Sequence, residues 1–165
     1  MYLTRVPASR VANHLYHERD DPRMYDRVLL PTDGSDANDR AVGQAVGLAQ
    51  ETGADLYVLF VLEDLPYAPD MTDKPIAEQL REIGEAALED IESRAETVGV
   101  DVTAEIREGA PHTAILEYAE EAGVDAIVMG THGRSGLDRY LLGSVTERVV
   151  RTADVPVLTV RMEDA

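Results

Sequence analysis

Leu56-Tyr57-Val58-Leu59-Phe60-Val61-Leu62 is an apolar run without a break. A strand with one wet face alternates apolar and polar residues, because successive side chains point to opposite faces. An unbroken run needs cover on both faces, the condition of strands in a parallel sheet flanked by helices. Arg27–Pro31 and Ala126–Met129 repeat the pattern in shorter form. Between these runs the period becomes helical. Ala41, Ala45, Val46, Leu48 and Ala49 give a buried side to a helix that runs to about Thr52, with Gly53 as its stop and Ser35 or Asp36 as its cap. Ile76, Leu80, Ile83, Ala87, Ile91, Ala95 and Val98 form the apolar stripe of a long helix over Pro75–Val98. Glu78, Glu82, Glu85, Glu89, Glu92 and Glu96 form its solvated face. A third helix is expected from about His112 to Glu121, and a fourth from Ser144 to near Ala153. The remaining strands are Asp101–Arg107, whose alternating Val102, Ala104 and Ile106 predict an edge strand, and Pro156–Arg161. Strand and helix alternate four times and end on a strand. The expected fold is a single α/β domain, a doubly wound five-stranded parallel sheet with helices on both faces.

The second constraint is a loop. Gly130-x2-Gly133-x9-Gly143-Ser144 leaves one of the buried strands and ends where the fourth helix begins. Glycine lets a backbone approach a ligand closely. The unpaired N–H groups and dipole of a helix start favour an anion, and Ser144 and Thr146 add hydroxyls there. The physical reading is a phosphate cradle. It is neither a Walker-A loop, since no Gly-Lys-Ser/Thr occurs in the chain, nor a G-x-G-x-x-G turn. A doubly wound sheet takes its ligand outside the carboxyl ends of the strands where strand order reverses. If the strand order is 3-2-1-4-5, the loop Thr32–Ser35 and the glycine loop flank that crevice.

Charge narrows the partners. The chain of 165 residues has 32 acidic and 15 basic residues, a net charge of −17, and among the bases only Lys74 is a lysine. Such a surface argues against nucleic acid and anionic membranes as partners, and resembles that of a halophilic protein kept soluble in molar salt. No apolar run is long enough to span a bilayer, the N-terminus lacks a signal-peptide core, and cysteine is absent. The expectation is a soluble cytoplasmic protein without thiol chemistry. Residues 1–23 read differently from the rest. Met1 to Met24 carries Arg5, Arg10, Arg19 and Arg23 against Glu18, Asp20 and Asp21, a net +1. They are expected to be a weakly ordered extension, or to precede a true start at Met24, with residues 24–165 as the domain.

The glycine spacing resembles the nucleotide loop of the universal stress protein family, G-x2-G-x9-G-[S/T]. Val28 to Ser35 (V-L-L-P-T-D-G-S), the Val58–Leu62 strand and the Val155–Val160 tail resemble the same family, from about Met24 to Arg161. The resemblance implies a Rossmann-like sandwich of the adenine nucleotide alpha hydrolase type, with strand order 3-2-1-4-5. It implies the ATP-binding branch, in which the glycine motif is intact. It places Pro31, Thr32 and Asp33 at the adenosine side, the Val61 backbone at adenine, and Met129 and Gly130 as a floor near base and ribose. Gly133, Arg134, Gly143, Ser144, Val145 and Thr146 would meet the phosphates, with Arg134 or Arg139 supplying positive charge. Asp33 would accept from ribose hydroxyls or help hold Mg²⁺ or Mn²⁺; otherwise it is a turn carboxylate capping Gly34 or Ser35. His132 would contact backbone or ribose rather than act as a base. His112 reads as a cap, and four scattered histidines make no metal site.

The leading function is an ATP-binding stress-response or signalling module, with the divalent ion carried mainly by the phosphates. A slow ATPase is the alternative, weakened by the lack of a convincing base. A flavin-binding redox protein is the second alternative, weakened by sparse aromatics and no tryptophan. The resemblance also implies a homodimer through strand 157–160, and an exposed apolar edge strand needs covering.

Overall fold

A computed structural model describes residues 3–5, 23–63, 74–131 and 142–161. Residues 64–73, between the Leu56–Leu62 run and the long helix, therefore lie outside the described residues. The strands are β1 (Leu3–Arg5), β2 (Arg27–Thr32), β3 (Asp55–Leu62), β4 (Val102–Glu108), β5 (Ala126–Gly130) and β6 (Val157–Val160). The helices are α1 (Asp39–Thr52), α2 (Lys74–Thr97), α3 (Pro111–Ala122) and α4 (Ser144–Thr152). Among the described residues no helix is long and apolar enough to cross a membrane.

The sheet order is β1-β4-β3-β2-β5-β6. Strands β2 to β6 are parallel, with Val28 opposite both Leu56 and Ala126 and with Ile127 opposite Val157. Counted from β2, their order is 3-2-1-4-5, the order the family resemblance implied, in the doubly wound sheet expected from the alternating runs. The unbroken apolar strands are covered on both sides. Val28, Leu30, Val58 and Phe60 pack with Ala41, Ala45 and Ala49 of α1 and with Leu88, Ile91 and Ala95 of α2. Leu29, Tyr57, Leu59, Ile127 and Met129 pack on the opposite face with Ile115 and Tyr118 of α3 and Val149 of α4. Leu29, Leu30, Leu56, Leu59 and Ile127 are wholly buried, each contributing about 1.5–3 kcal/mol of burial.

Gly53 ends α1 with φ 70°, its N–H donating to the Ala49 carbonyl, a left-handed stop that favours glycine. The helix starts differently from the expected Ser35 or Asp36 cap. A short 3₁₀ turn, Asp36–Asn38, precedes α1, and neither Ser35 nor Asn38 caps with its side chain. Ser35 is drawn instead to Asp33, and Asn38 turns inward to Thr32.

β4 is not the outer strand that its alternation suggested. Leu3–Arg5 adds to its free side, antiparallel, with Leu3 opposite Ile106, Thr4 opposite Glu105 and Arg5 opposite Ala104. Both faces of β4 are buried: Val102, Ala104 and Ile106 on the α1–α2 side, and between them Thr103 and Glu105. Glu105 is tolerated there because its Oε1 accepts from Arg107 Nε at 2.7 Å, as a buried charge requires. Arg107 continues to Glu121 of α3 at 2.6 Å and lies 4.6 Å from the centre of the Tyr118 ring.

Candidate functional site

β2 lies between β3 and β5. The chain winds outward from β2 through β3 to β4, then returns to lay β5 on the other side of β2. The reversal opens a crevice at the carboxyl ends of β2 and β5. A cleft of about 500 Å³ occupies it. Pro31, Thr32 and Asp33 line it from the end of β2, and Val61 and Glu63 from β3 and beyond. Met129 and Gly130 line it from β5, and Gly143, Ser144, Val145 and Thr146 from the start of α4. The structure thus gathers these predicted residues around one space. His132, Gly133, Arg134 and Arg139 lie outside the described residues.

The β2 side of the cleft is held by short-range hydrogen bonds. Thr32 Oγ1 accepts from the Gly34 N–H and from Asn38 Nδ2, both at 3.1 Å. Asp33 Oδ1 accepts from the Ser35 N–H at 3.0 Å and from the Ser35 hydroxyl at 2.7 Å. Asp33 therefore performs the turn role, and it is also one of the residues that line the cleft. Gly34 has φ +72°, a conformation that favours glycine, and a Cβ there would sit a tight 3.2 Å from Ala87.

The α4 side is tied to β5 and β6. The Gly143 N–H donates to the Thr131 carbonyl at 2.7 Å, and the Thr131 N–H to the Val160 carbonyl at 3.0 Å. The buried Thr146 hydroxyl donates to the Gly130 carbonyl at 2.9 Å. Its proton is committed to joining helix and strand, so a ligand would meet Thr146 through backbone. Gly143 is the cap of α4 and has no side chain to satisfy the helix start. The first N–H groups of a helix have no acceptor within it; the residues that carry them, Ser144, Val145 and Thr146, line the cleft, and no side-chain cap meets them among the described residues.

The described charged residues lining the cleft, Asp33 and Glu63, are both acidic. A negative ligand would have to be held by α4 and by backbone rather than by these side chains. Among the described residues no three histidine, aspartate or glutamate side chains converge on a metal position. Asn38, Glu63, Pro111 and Ile115 also line the cleft and were not legible as site residues. Pro111 had a usable signal, since helices that follow parallel strands start at the sheet's carboxyl end. Asn38 had none, because its burial depends on the inward turn of one side chain.

The universal stress protein family model matches residues 24–161. Universal stress protein MJ0531 of Methanocaldococcus jannaschii is 40% identical over 146 residues, spanning 87% of this chain and 86% of that protein. The solved structure of MJ0577, described as a structure-based assignment of biochemical function, superposes with a TM-score of 0.76 at 32% identity, covering 86% of this chain and 99% of that one. MJ0577 comes from the same organism. A universal stress protein crystallised in complex with cAMP superposes with a TM-score of 0.64 at 32% identity, covering 84% and 98% of the two chains. The sheet order, the cleft at its switch point and these likenesses agree: the chain belongs to the universal stress protein family.

Proposed function

We propose that this protein is an ATP-binding module of the stress response that works as a homodimer. The observation that carries the reading is the cleft at the switch point. Its walls include Leu59, Phe60, Val61 and Ile115, suited to a base, and the start of α4 on Gly143, which has no side-chain cap among the described residues. Apolar walls with a few convergent polar groups are the usual character of a small-molecule site, and a helix start attracts phosphate. The cAMP-bound relative supports an adenine nucleotide as the ligand class.

Mg²⁺ or Mn²⁺ would ride on the phosphate oxygens, because magnesium keeps waters and takes only one or two carboxylates from a protein. Asp33 is a cleft-lining carboxylate that could take such a role, although its Oδ1 already serves Ser35. ATP occupancy would change the surface presented to protein partners.

The test is a calorimetric titration with Mg-ATP of the native chain and of Ser144→Asp. An acid in the first turn of α4 favours the helix dipole, by about 0.3–1 kcal/mol, so the variant keeps its fold while repelling phosphate. The native chain should bind, and the variant should bind at least about tenfold more weakly, ~1.4 kcal/mol. Equal binding by both would remove the phosphates from α4. No binding of ATP, AMP or cAMP by the native chain would remove the proposal.

A further inference from the structure

β1 is a three-residue strand at the outer margin of the sheet, antiparallel to its neighbour. It lies outside the residues matched by the family model, which begin at 24. Without it, β4 would end the described sheet, with alternate N–H and C=O groups open along Ala104–Ile106. Open edges invite pairing with another chain, and proteins blunt them with proline, lysine, bulges or inward-pointing charges. β4 reads Val-Thr-Ala-Glu-Ile-Arg-Glu, without proline or lysine. Its buried charge, Glu105, is neutralised within the chain by Arg107. Among the described residues, the blunting device left to this edge is β1.

β4 is also complementary to itself. Two copies laid antiparallel about Ile106 would set Glu105 of each opposite Arg107 of the other. Opposite charges in facing positions stabilise a strand pair, and a two-fold contact of this kind closes on itself.

We infer that the outer edge of β4 is a strand-addition surface, guarded in cis by Leu3–Arg5, whose partner on displacement of the guard is β4 of a second copy. β1 pairs through three residues, so the guard is held by few hydrogen bonds and releases without unfolding the sheet. The surface is distinct from the cleft, and the inference stands or falls independently of nucleotide binding.

Amide hydrogen exchange of the full chain tests it, residue by residue, alongside full-length Leu3→Pro/Thr4→Pro. Proline has no N–H to give to a ladder, and two consecutive prolines interrupt β1 whichever of the two residues points at β4. Successive N–H groups of a strand point to opposite neighbours, so only alternate amides of β4 depend on β1. In dilute variant that alternate set should exchange on the order of tenfold faster or more, as expected for a locally opened unit. The set bonded to β3 should not change. Raising the variant's concentration should restore the protection and produce a larger species in sedimentation. In the native chain the same alternate amides should exchange together with those of residues 3–5, ahead of the rest of β4. Unchanged β4 exchange in the variant overturns the guard. Acceleration of every β4 amide overturns it too, since β1 would then be part of the core. Faster alternate exchange with no response to concentration overturns the second copy as partner.

Discussion

Arg107 shows how one residue settles a position that sequence pattern cannot. It lies on β4 beside a buried glutamate, and in the sequence it is one more arginine at the end of a strand. In the structure its guanidinium joins Glu105, Glu121 and the Tyr118 ring, while Tyr118 meets Tyr57 edge to face at 6.3 Å. Burial opposes the charge on Arg107, but Glu121 and Glu105 more than offset it and raise its pKa beyond its ordinary value. The hydrogen bond from Arg107 lowers the pKa of Glu121 below the usual glutamate range. A carboxylate with a depressed folded pKa stabilises the fold above its unfolded pKa, and that contribution is lost as pH falls through the folded value. Glu121→Gln should therefore be less stable than the native chain near pH 7, and the two should converge as pH drops below about 4.3, the ordinary glutamate value. Thermal melts across the acid limb check this; a gap that persists unchanged at the acid end would place the effect outside titration. Asp33 teaches a related lesson. The sequence left it as either a turn carboxylate or a ligand to ribose or metal. The bonds from Ser35 establish the first role, and the residue also lines the cleft.

At the scale of elements, periodicity located the helices and misjudged how α2 is seated. Ile76 and Ile83 belong to its apolar stripe but are 48% and 39% exposed. The buried side of α2 runs through Gly84, Leu88, Ile91 and Ala95. The reason is Phe60: a Cβ on Gly84 would lie 2.7 Å from the ring, so the helix rides close to the sheet at the one residue without a side chain. Gly84→Ala should improve helix propensity by about 1 kcal/mol, yet force the buried ring aside at a cost of typically 1–3 kcal/mol. The net expectation is destabilisation, read as a lower urea midpoint. A gain in stability would mean that the ring has room to move. β6 makes the opposite point. It pairs with β5 on one side only among the described residues, and Leu158 is 46% exposed. If β6 is the dimer strand, Leu158→Arg should convert the native dimer to monomer in light scattering while leaving the melting temperature of the monomer unit nearly unaltered. A native chain that scatters as a monomer at the same concentration would remove this dimer.

The whole molecule carries 32 acids against 15 bases, and most of the long face of α2 is exposed glutamate. Self-repulsion of that size destabilises the compact state. Salt relieves it, since the screening length falls to about 3 Å at 1 M. The melting temperature should rise steadily from dilute buffer to molar KCl, and an unchanged value would separate this acidic surface from any dependence on salt. At this scale the sequence alone determined the fold class. Unbroken apolar strands demand cover on both faces, helical stripes between them supply it, and the handedness of crossovers leaves a doubly wound sheet. The family resemblance that the sequence's motifs carry supplied the strand order, and with it the switch point and more than half of the residues that line the cleft. Tertiary structure alone decided the rest. It turned Asn38 inward, committed the Thr146 hydroxyl to Gly130, seated α2 on a missing Cβ, and laid Leu3–Arg5 against β4. Each of these depends on what faces a residue across space. A one-dimensional pattern records which side chains want burial, but not which partner meets them there.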